Sequence, residues 1–292
     1  MTAVHTDEVI NADVELDTGV RLSYARCGAG EPLVLLPGTG SDRRFWDRQL
    51  PVFAQRYDVI VVDNRGSGES DVPGDTSLYS SEIMADDAAA LIRALGFDRA
   101  HVAGHSLGAS IGQQLAIRHP DVVHSLQLHA TKARNDEWLR RAFGYTSRYA
   151  LERGDRKVAF RITMMWMLSA EYLDTRQPAE VADMVNRCYI ENPNVERNAT
   201  GMLGHLEANA KHDSLAGLAL IAAPTLVTAG ANDAMIPARY SELVARSIST
   251  ASYKLFTGPR SSHAYPWEMS EEFNAATLAF LREHPMNGDR HV

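Results

Sequence analysis

Serine, aspartate and histidine together can turn an alcohol oxygen into a nucleophile, and this chain offers one of each in a workable order. The pentapeptide Gly104-His105-Ser106-Leu107-Gly108 fits G-x-S-x-G. It follows directly on an apolar strand-like run, AHVA, and opens a helix-like one, LGASIGQQLAIRHP. A nucleophile exposed on a sharp strand-to-helix turn needs a strained backbone, and its neighbours two places away pack too closely for side chains. Gly104 and Gly108 meet that need, while Ala103, Ala109 and Gly112 keep the surroundings small. The competing reading, a glycine-rich turn with an incidental serine, leaves the flanking strand and helix unexplained.

A serine hydroxyl is too weak an acid to attack unaided, so a base and an orienting carboxylate must be found. On a strand–elbow–helix scaffold they follow in the order Ser, acid, His. Asp233 lies just past the buried run APTLVTAG, at the strand end where sites in open α/β sheets are built. An Asx-type turn or helix cap is its structural alternative. Eleven histidines compete for the base. His101, His119, His124 and His129 flank strands or a helix, His205 and His212 close a helical stretch, and His5, His284 and His291 are terminal. His105 is too near Ser106 in sequence to present its ring productively, so a packing role suits it. His263 alone falls in a loop between the last strand and the last helix, within TGPRSSHAYPWEM. Acyl transfer also places negative charge on the former carbonyl oxygen, which two backbone N–H groups should receive. Leu107, the residue after the nucleophile, supplies one. Thr39, in the small-residue loop Pro37-Gly38-Thr39-Gly40, is the candidate for the other. That loop lacks the Lys-Ser/Thr ending of a phosphate cradle and the third glycine of a dinucleotide site.

These residues need a scaffold. The runs PLVLLPG, YDVIVVDNRG, AHVAGHSLG, HSLQLHA and APTLVTAG are nearly all apolar, as strands buried on both faces of a parallel sheet are. VELDTGVRLSYARCG reads as two short strands about Asp17, Thr18 and Gly19, and ASYKLFTG as a last strand. Residues 80–95 carry a helical stripe of Ile83, Met84, Ala88, Leu91, Ile92 and Leu95, with Gly96 as the stop. Further helices end at Pro120 and Pro285. Strands alternating with helices predict an α/β fold with a mostly parallel, doubly wound sheet. The N-terminal dozen residues are polar and expected to be mobile. Between residues 131 and 213 the alternation stops and the sequence turns helical, giving a core of residues 1–130 and 214–292 with a helical cap, 131–213, inserted above it.

Composition narrows the function. The 292 residues are 45% hydrophobic and 23% charged, with a formal net charge of −8, an ordinary globular balance without a polyanion-binding surface. No basic stretch with interleaved aromatics suggests nucleic acid, and no run approaches the ~20 apolar residues that span a bilayer. Cys27 and Cys188 lack metal-site spacing and are expected as reduced, buried or half-buried thiols. With no signal-peptide pattern at the start, a cytoplasmic protein is expected. The sequence is compatible with a homo-oligomer.

The chain resembles the α/β-hydrolase superfamily, in the branch of small esterases, enol-lactonases and cofactor-free haloperoxidases. The likeness runs from about Val14 to Leu281. It covers the elbow, the acid and base positions and the segment Asp63-x-Arg65-Gly66-x-Gly68-x-Ser70, which in that family is a structural turn near the site. It implies the α/β-hydrolase fold with a helical cap, and no cofactor. Two departures stand out: Pro37-Gly38 replaces the family's common His-Gly, and Ser261 and Ser262 precede His263 where a glycine is common.

The expected activity is that of a carboxylic-ester or lactone hydrolase working through an acyl-enzyme, with Ser106 as nucleophile, His263 as base and Asp233 as acid. A non-hydrolytic enzyme on the same scaffold (eliminase, acyltransferase or cyclase) is the alternative, and a ligand receptor with a relic triad the third. The insertion holds Trp138, Phe143, Tyr145, Tyr149, Phe160, Met164, Met165, Trp166, Met167 and Tyr172. Most of these would simply pack the cap, but Trp138, Met164, Trp166 and Met167 are the candidate pocket walls. A largely apolar pocket favours a hydrophobic small-molecule substrate. Arg43, Arg44 and Arg260 are expected near the mouth, where they could hold a substrate carboxylate, though solvated surface arginines are the simpler reading.

Overall fold

The computed structural model describes residues 8–141, 145–176 and 195–286. Its strands are β1 (Ile10–Glu15), β2 (Arg21–Cys27), β3 (Glu31–Leu36), β4 (Tyr57–Val62), β5 (Ala100–His105), β6 (Val123–His129), β7 (Thr225–Gly230) and β8 (Ala251–Phe256). They form one sheet in the order β1-β2-β4-β3-β5-β6-β7-β8. β1 and β2 join antiparallel at one edge, and all pairs from β4 onward are parallel.

Strand periodicity explains why the central runs are apolar throughout. Leu33, Leu35, Val59 and Val61 enter the core on one face, and Val34, Leu36, Ile60 and Val62 enter the core on the other. Alternate residues point to opposite faces, so a strand covered on both sides has no polar positions to spare. One face carries the helices α2 (Ser81–Ala94), α3 (Leu107–Arg118) and α9 (Ala238–Ser247). The other carries α1 (Leu50–Phe53), α10 (Tyr265–Glu268) and α11 (Ser270–Glu283), packed through Trp46, Phe53, Tyr265 and Phe273. Full burial of side chains of this size stabilises by about 1.5–3 kcal/mol each.

Helix α2 has both predicted ends. The Ser80 side chain accepts from the Ile83 amide, and Gly96 takes φ +81° just past the last turn. β1 begins within the polar N-terminal stretch expected to be mobile. Its side chains are largely exposed, so the main-chain ladder to β2, from Ile10 opposite Arg26 to Glu15 opposite Arg21, holds it rather than burial. Helix α9 escaped the sequence reading altogether.

Between β6 and β7 the described residues form α4 (Glu137–Leu139), α5 (Tyr145–Glu152), α6 (Arg156–Met167), α7 (Ala170–Asp174) and α8 (Val195–Lys211). A single antiparallel bridge, Arg134 to Asp213, ties the departing chain to the returning one. Phe143 and Cys188 lie outside the described residues, as do the side chains of Tyr145 and Phe160. Cys27 is buried. No helix among the described residues is long and apolar enough to cross a membrane.

Candidate active site

The chain turns back on itself at β3. It runs outward to β4, returns through α2, and enters β5 on the opposite side of β3. The loops after β3 and β5 therefore part at a crevice, the switch point where open α/β sheets place their sites. Ser106 occupies one lip and the Pro37–Gly40 loop, residues 37–40, the other.

Ser106 has φ 55° and ψ −114°, one of two described non-glycine residues with positive φ. Such a conformation costs on the order of 1–3 kcal/mol. Hydrogen bonds around it hold it: its amide donates to the His129 carbonyl (2.9 Å), and its own carbonyl accepts from Ala109 and Ser110. A Cβ on Gly104 would meet the Gly108 carbonyl oxygen at 2.2 Å, and one on Gly108 would meet the Leu36 oxygen at 2.1 Å. Both glycines are thus demanded by backbone contact. Leu107 starts α3, so its amide precedes the helical ladder and is one of the orphan donors of a helix start.

Asp233 follows β7. Its Oδ1 accepts from the Met235 (2.9 Å) and Ile236 (2.7 Å) amides, and its Oδ2 accepts from His263 Nδ1 at 2.7 Å. With Nδ1 as donor, the lone pair of His263 rests on Nε2. The pair is buried, His263 at 2% and Asp233 at 4% exposure, where a carboxylate–imidazole hydrogen bond keeps its strength. Gly230 makes room for the histidine loop, since a Cβ there would strike the Ser261 oxygen at 2.3 Å. The two serines before His263 have structural tasks. The Ser261 carbonyl accepts from the Asn232 amide, and the Ser262 hydroxyl donates to buried Glu268 (2.8 Å). Glu268 also receives the Ser169 amide (2.9 Å) and hydroxyl, tying α7 to the loop that carries His263.

His105 does more than pack. Its ring stacks on Phe45 at 4.5 Å, lies 4.8 Å from the His263 ring, and donates from Nε2 to the His263 carbonyl at 3.0 Å. Burial first, and then the His263 ring, hold its pKa well below the usual imidazole value, so it stays a neutral donor.

The loop bearing Thr39 is held from two sides. Asn64 donates to the Pro37 carbonyl (3.1 Å), and the Gly40 amide donates to Nδ1 of His205 (3.0 Å), whose Nε2 donates to the Arg65 carbonyl (2.7 Å). Burial pushes the pKa of His205 down to about 4, which preserves the tautomer this latch needs. Sequence reasoning set His205 aside because nothing local marks it. Its helix α8 crosses so close to the turn after β4 that a Cβ on Gly201 would meet the Gly66 oxygen at 1.7 Å. The turn itself is structural: Arg65 forms a buried bidentate pair with Asp87, at 2.5 and 2.6 Å.

A cavity of about 380 Å³ opens over Ser106 and Thr39, within the usual range for small-molecule sites. Leu139, Leu206, Ala210, Met235 and Ile236 make its apolar wall, and Lys132, Asn135 and Asn209 contribute polar ends, with Arg140 and Arg148 beside them. The predicted walls lie elsewhere. Trp138 is half exposed, at 49%. Trp166 and Met167 pack behind Leu139, Met235 and Ile236, while Met164 and Met167 pack against Leu168, Tyr172 and Ala264. Composition marked these side chains as pocket-forming, but Trp166 and Met167 pack against α4 and the turn after Asp233, and Met164 packs against the segment after His263. None of the arginines expected at the mouth lines the cavity. Arg43 is half-buried and pairs with buried Asp63 (2.7 Å), Arg44 pairs with Asp42, and Arg260 approaches Thr175.

Comparison with known proteins agrees with this geometry. Residues 31–263 match the family described as alpha/beta hydrolase fold, and the chain belongs to that family. It is a hydrolase by that membership and by its relatives. It is 32% identical over 265 residues to the RutD protein of Azorhizobium caulinodans, which carries the name of a carbamate hydrolase; the match spans 90% of this chain and 95% of that one. A hydrolase structure from Pseudomonas aeruginosa PA01 superposes with TM-score 0.81 at 30% identity, covering 93% of this chain and 98% of that one. A thermophilic esterase from Thermogutta terrifontis superposes with TM-score 0.80 at 26% identity, covering 94% and 100%.

Proposed function

We propose that the protein is a serine hydrolase that cleaves a carboxylic ester or lactone of a largely hydrophobic small molecule through an acyl-enzyme. The observation that carries this reading is the 2.7 Å hydrogen bond from His263 Nδ1 to Asp233, on a loop that His105 ties to the Ser106 elbow.

In this mechanism the Ser106 oxygen attacks the substrate carbonyl carbon while His263 Nε2 takes its proton. The Thr39 and Leu107 amides receive the oxyanion, and each such donor is worth roughly 3 kcal/mol in the transition state. Collapse expels the alcohol, protonated by His263. Water, deprotonated by the same nitrogen, then releases the acid and restores the serine. Asp233 holds the tautomer and stabilises the imidazolium. No cofactor enters this cycle.

A carbamate is the second reading, favoured by the name of the 32% identical relative. The same attack at a carbonyl carbon serves both substrates. Ser106→Ala should leave a protein with unchanged near-ultraviolet circular dichroism that no longer hydrolyses short-chain 4-nitrophenyl esters. Unchanged turnover would refute the proposal, and running the reaction in ¹⁸O-water tests hydrolysis itself, which alone places solvent oxygen in the acid.

A further inference from the structure

Lys132 lies three residues beyond β6, on the same rim of the sheet as Ser106, and both line the cavity. The segment that carries it is tightly held. Ala130 takes a positive φ of 51°, Ser241 accepts from the Thr131 amide (3.0 Å) and donates to the Thr131 carbonyl (2.9 Å), and Gln113 donates to the Lys132 carbonyl (3.1 Å). Strain kept in place by this many bonds is a mark of functional positions.

Lys132 is only 4% exposed, yet among the described residues its ammonium has no carboxylate partner. It donates to the neutral Oδ1 of Asn209 at 2.9 Å. Asn209 is itself fixed, its side-chain nitrogen donating to the Thr39 hydroxyl and its main-chain carbonyl accepting from the Asn135 side chain. The neighbouring His212 stays neutral through burial, reinforced by the Lys132 charge. Among the described residues, no acidic side chain lines the cavity. Its two arginines are already committed, Arg148 to Glu152 and Glu207 (2.8 and 2.9 Å) and Arg140 to Glu137 (3.5 Å). A desolvated ammonium with one neutral acceptor is costly unless an anion completes it. Burial lowers its pKa to about 8, which leaves most of it charged at neutral pH.

We propose that Lys132, oriented by Asn209, is the recognition site for a substrate carboxylate, so that the acyl compound cleaved at Ser106 is an anion. The proposal rests on the serine-hydrolase reading for which bond breaks, but not for where the carboxylate binds.

Two pairs of esters place the charge on either side of the scissile bond: mono-4-nitrophenyl adipate against 4-nitrophenyl hexanoate, and 4-acetoxybenzoate against its methyl ester. The wild type should favour the anion of at least one pair by ten-fold or more in kcat/KM. In Lys132→Met that ratio should collapse to within about three-fold of unity, whatever common loss both esters share. A purely structural lysine would lower both members equally and keep the ratio, which would overturn the proposal, as would a wild type indifferent to charge in both pairs. Calorimetric titration of adipate into Ser106→Ala and Ser106→Ala/Lys132→Met, with melting curves to verify folding, is independent of turnover. Binding should weaken at least ten-fold with the second substitution, and equal affinity or no binding to either would overturn the proposal. If Ser106→Ala keeps full activity on esters, the serine mechanism fails, and the titration still decides the role of Lys132. Should Lys132→Met not fold, Lys132→Gln takes its place in both assays.

Discussion

The Nε2 of His105 donates to the carbonyl oxygen of His263 at 3.0 Å, so the residue before Ser106 anchors the main chain of His263. Two loops 158 positions apart in sequence are thereby fixed to each other. His105→Phe keeps the stacking on Phe45 but removes this bond. Displacing a reacting group by about 1 Å can cost 10²-fold, so kcat on 4-nitrophenyl butyrate should fall by about 10- to 100-fold with KM within about three-fold. A loss carried by KM alone would show that His105 acts on binding instead.

Asp233 has two duties divided between its oxygens. Oδ1 ends the turn through the Met235 and Ile236 amides, and Oδ2 holds His263. Asp233→Asn preserves the first and offers the imidazole the wrong tautomer, so kcat should drop roughly 10³- to 10⁴-fold while the melting temperature changes little. Steady-state kinetics beside a thermal melt separates the two effects. Activity within ten-fold of wild type would remove Asp233 from the mechanism.

The elbow glycines make a steric prediction that does not depend on catalysis. Gly108→Ala would drive a methyl group to 2.1 Å from the Leu36 oxygen, in a central strand that cannot yield cheaply. Stability should fall by about 3 kcal/mol or more in urea titrations. Gly74→Ala, with nothing within 4 Å of its new Cβ, should change stability by no more than about 0.5 kcal/mol. Equal effects at the two sites would refute the packing described for the elbow.

The strands and the elbow were legible because each rests on a local pattern: period-two burial on both faces, and glycine where backbone meets backbone. The pairing of Asp233 with His263 was legible from chain order, since each follows a strand on the rim. The cavity was not legible. Its wall depends on which face of α6 packs inward, and Trp166 and Met167 point behind Leu139 and Met235 rather than into the space above Ser106. His205 and Asn209 act across 165 and 170 positions on Gly40 and Thr39, and no spacing rule reaches that far. Lys132 had a signal that went unused, its place just past the carboxyl end of β6, the same criterion that selected Asp233.

Buried imidazoles, His105 among them, help to set the acid limit of the fold. Burial pushes the pKa of His129 and His212 down to about 3 and that of His205 to about 4. In the unfolded chain each would take up a proton near pH 6.5. The folded state thus binds fewer protons than the unfolded one between about pH 6.5 and 4. The stability these groups confer is complete above pH 6.5 and is lost as the pH falls through that window. Each contributes a slope approaching about 1.4 kcal/mol per pH unit below pH ~6. Unfolding free energies from urea titrations at pH 7, 6, 5 and 4.5 should fall with a combined slope of more than one proton. A flat profile would mean these histidines are charged in the folded protein.

The most direct measurement of the serine mechanism is covalent capture. Wild-type protein treated with a fluorophosphonate should gain a single adduct by intact mass, and peptide mapping should locate it on Ser106. His263→Ala should label at least 10²-fold more slowly, because the hydroxyl has lost its base. An adduct on another residue, or a His263→Ala protein that labels as fast as wild type, would contradict the account.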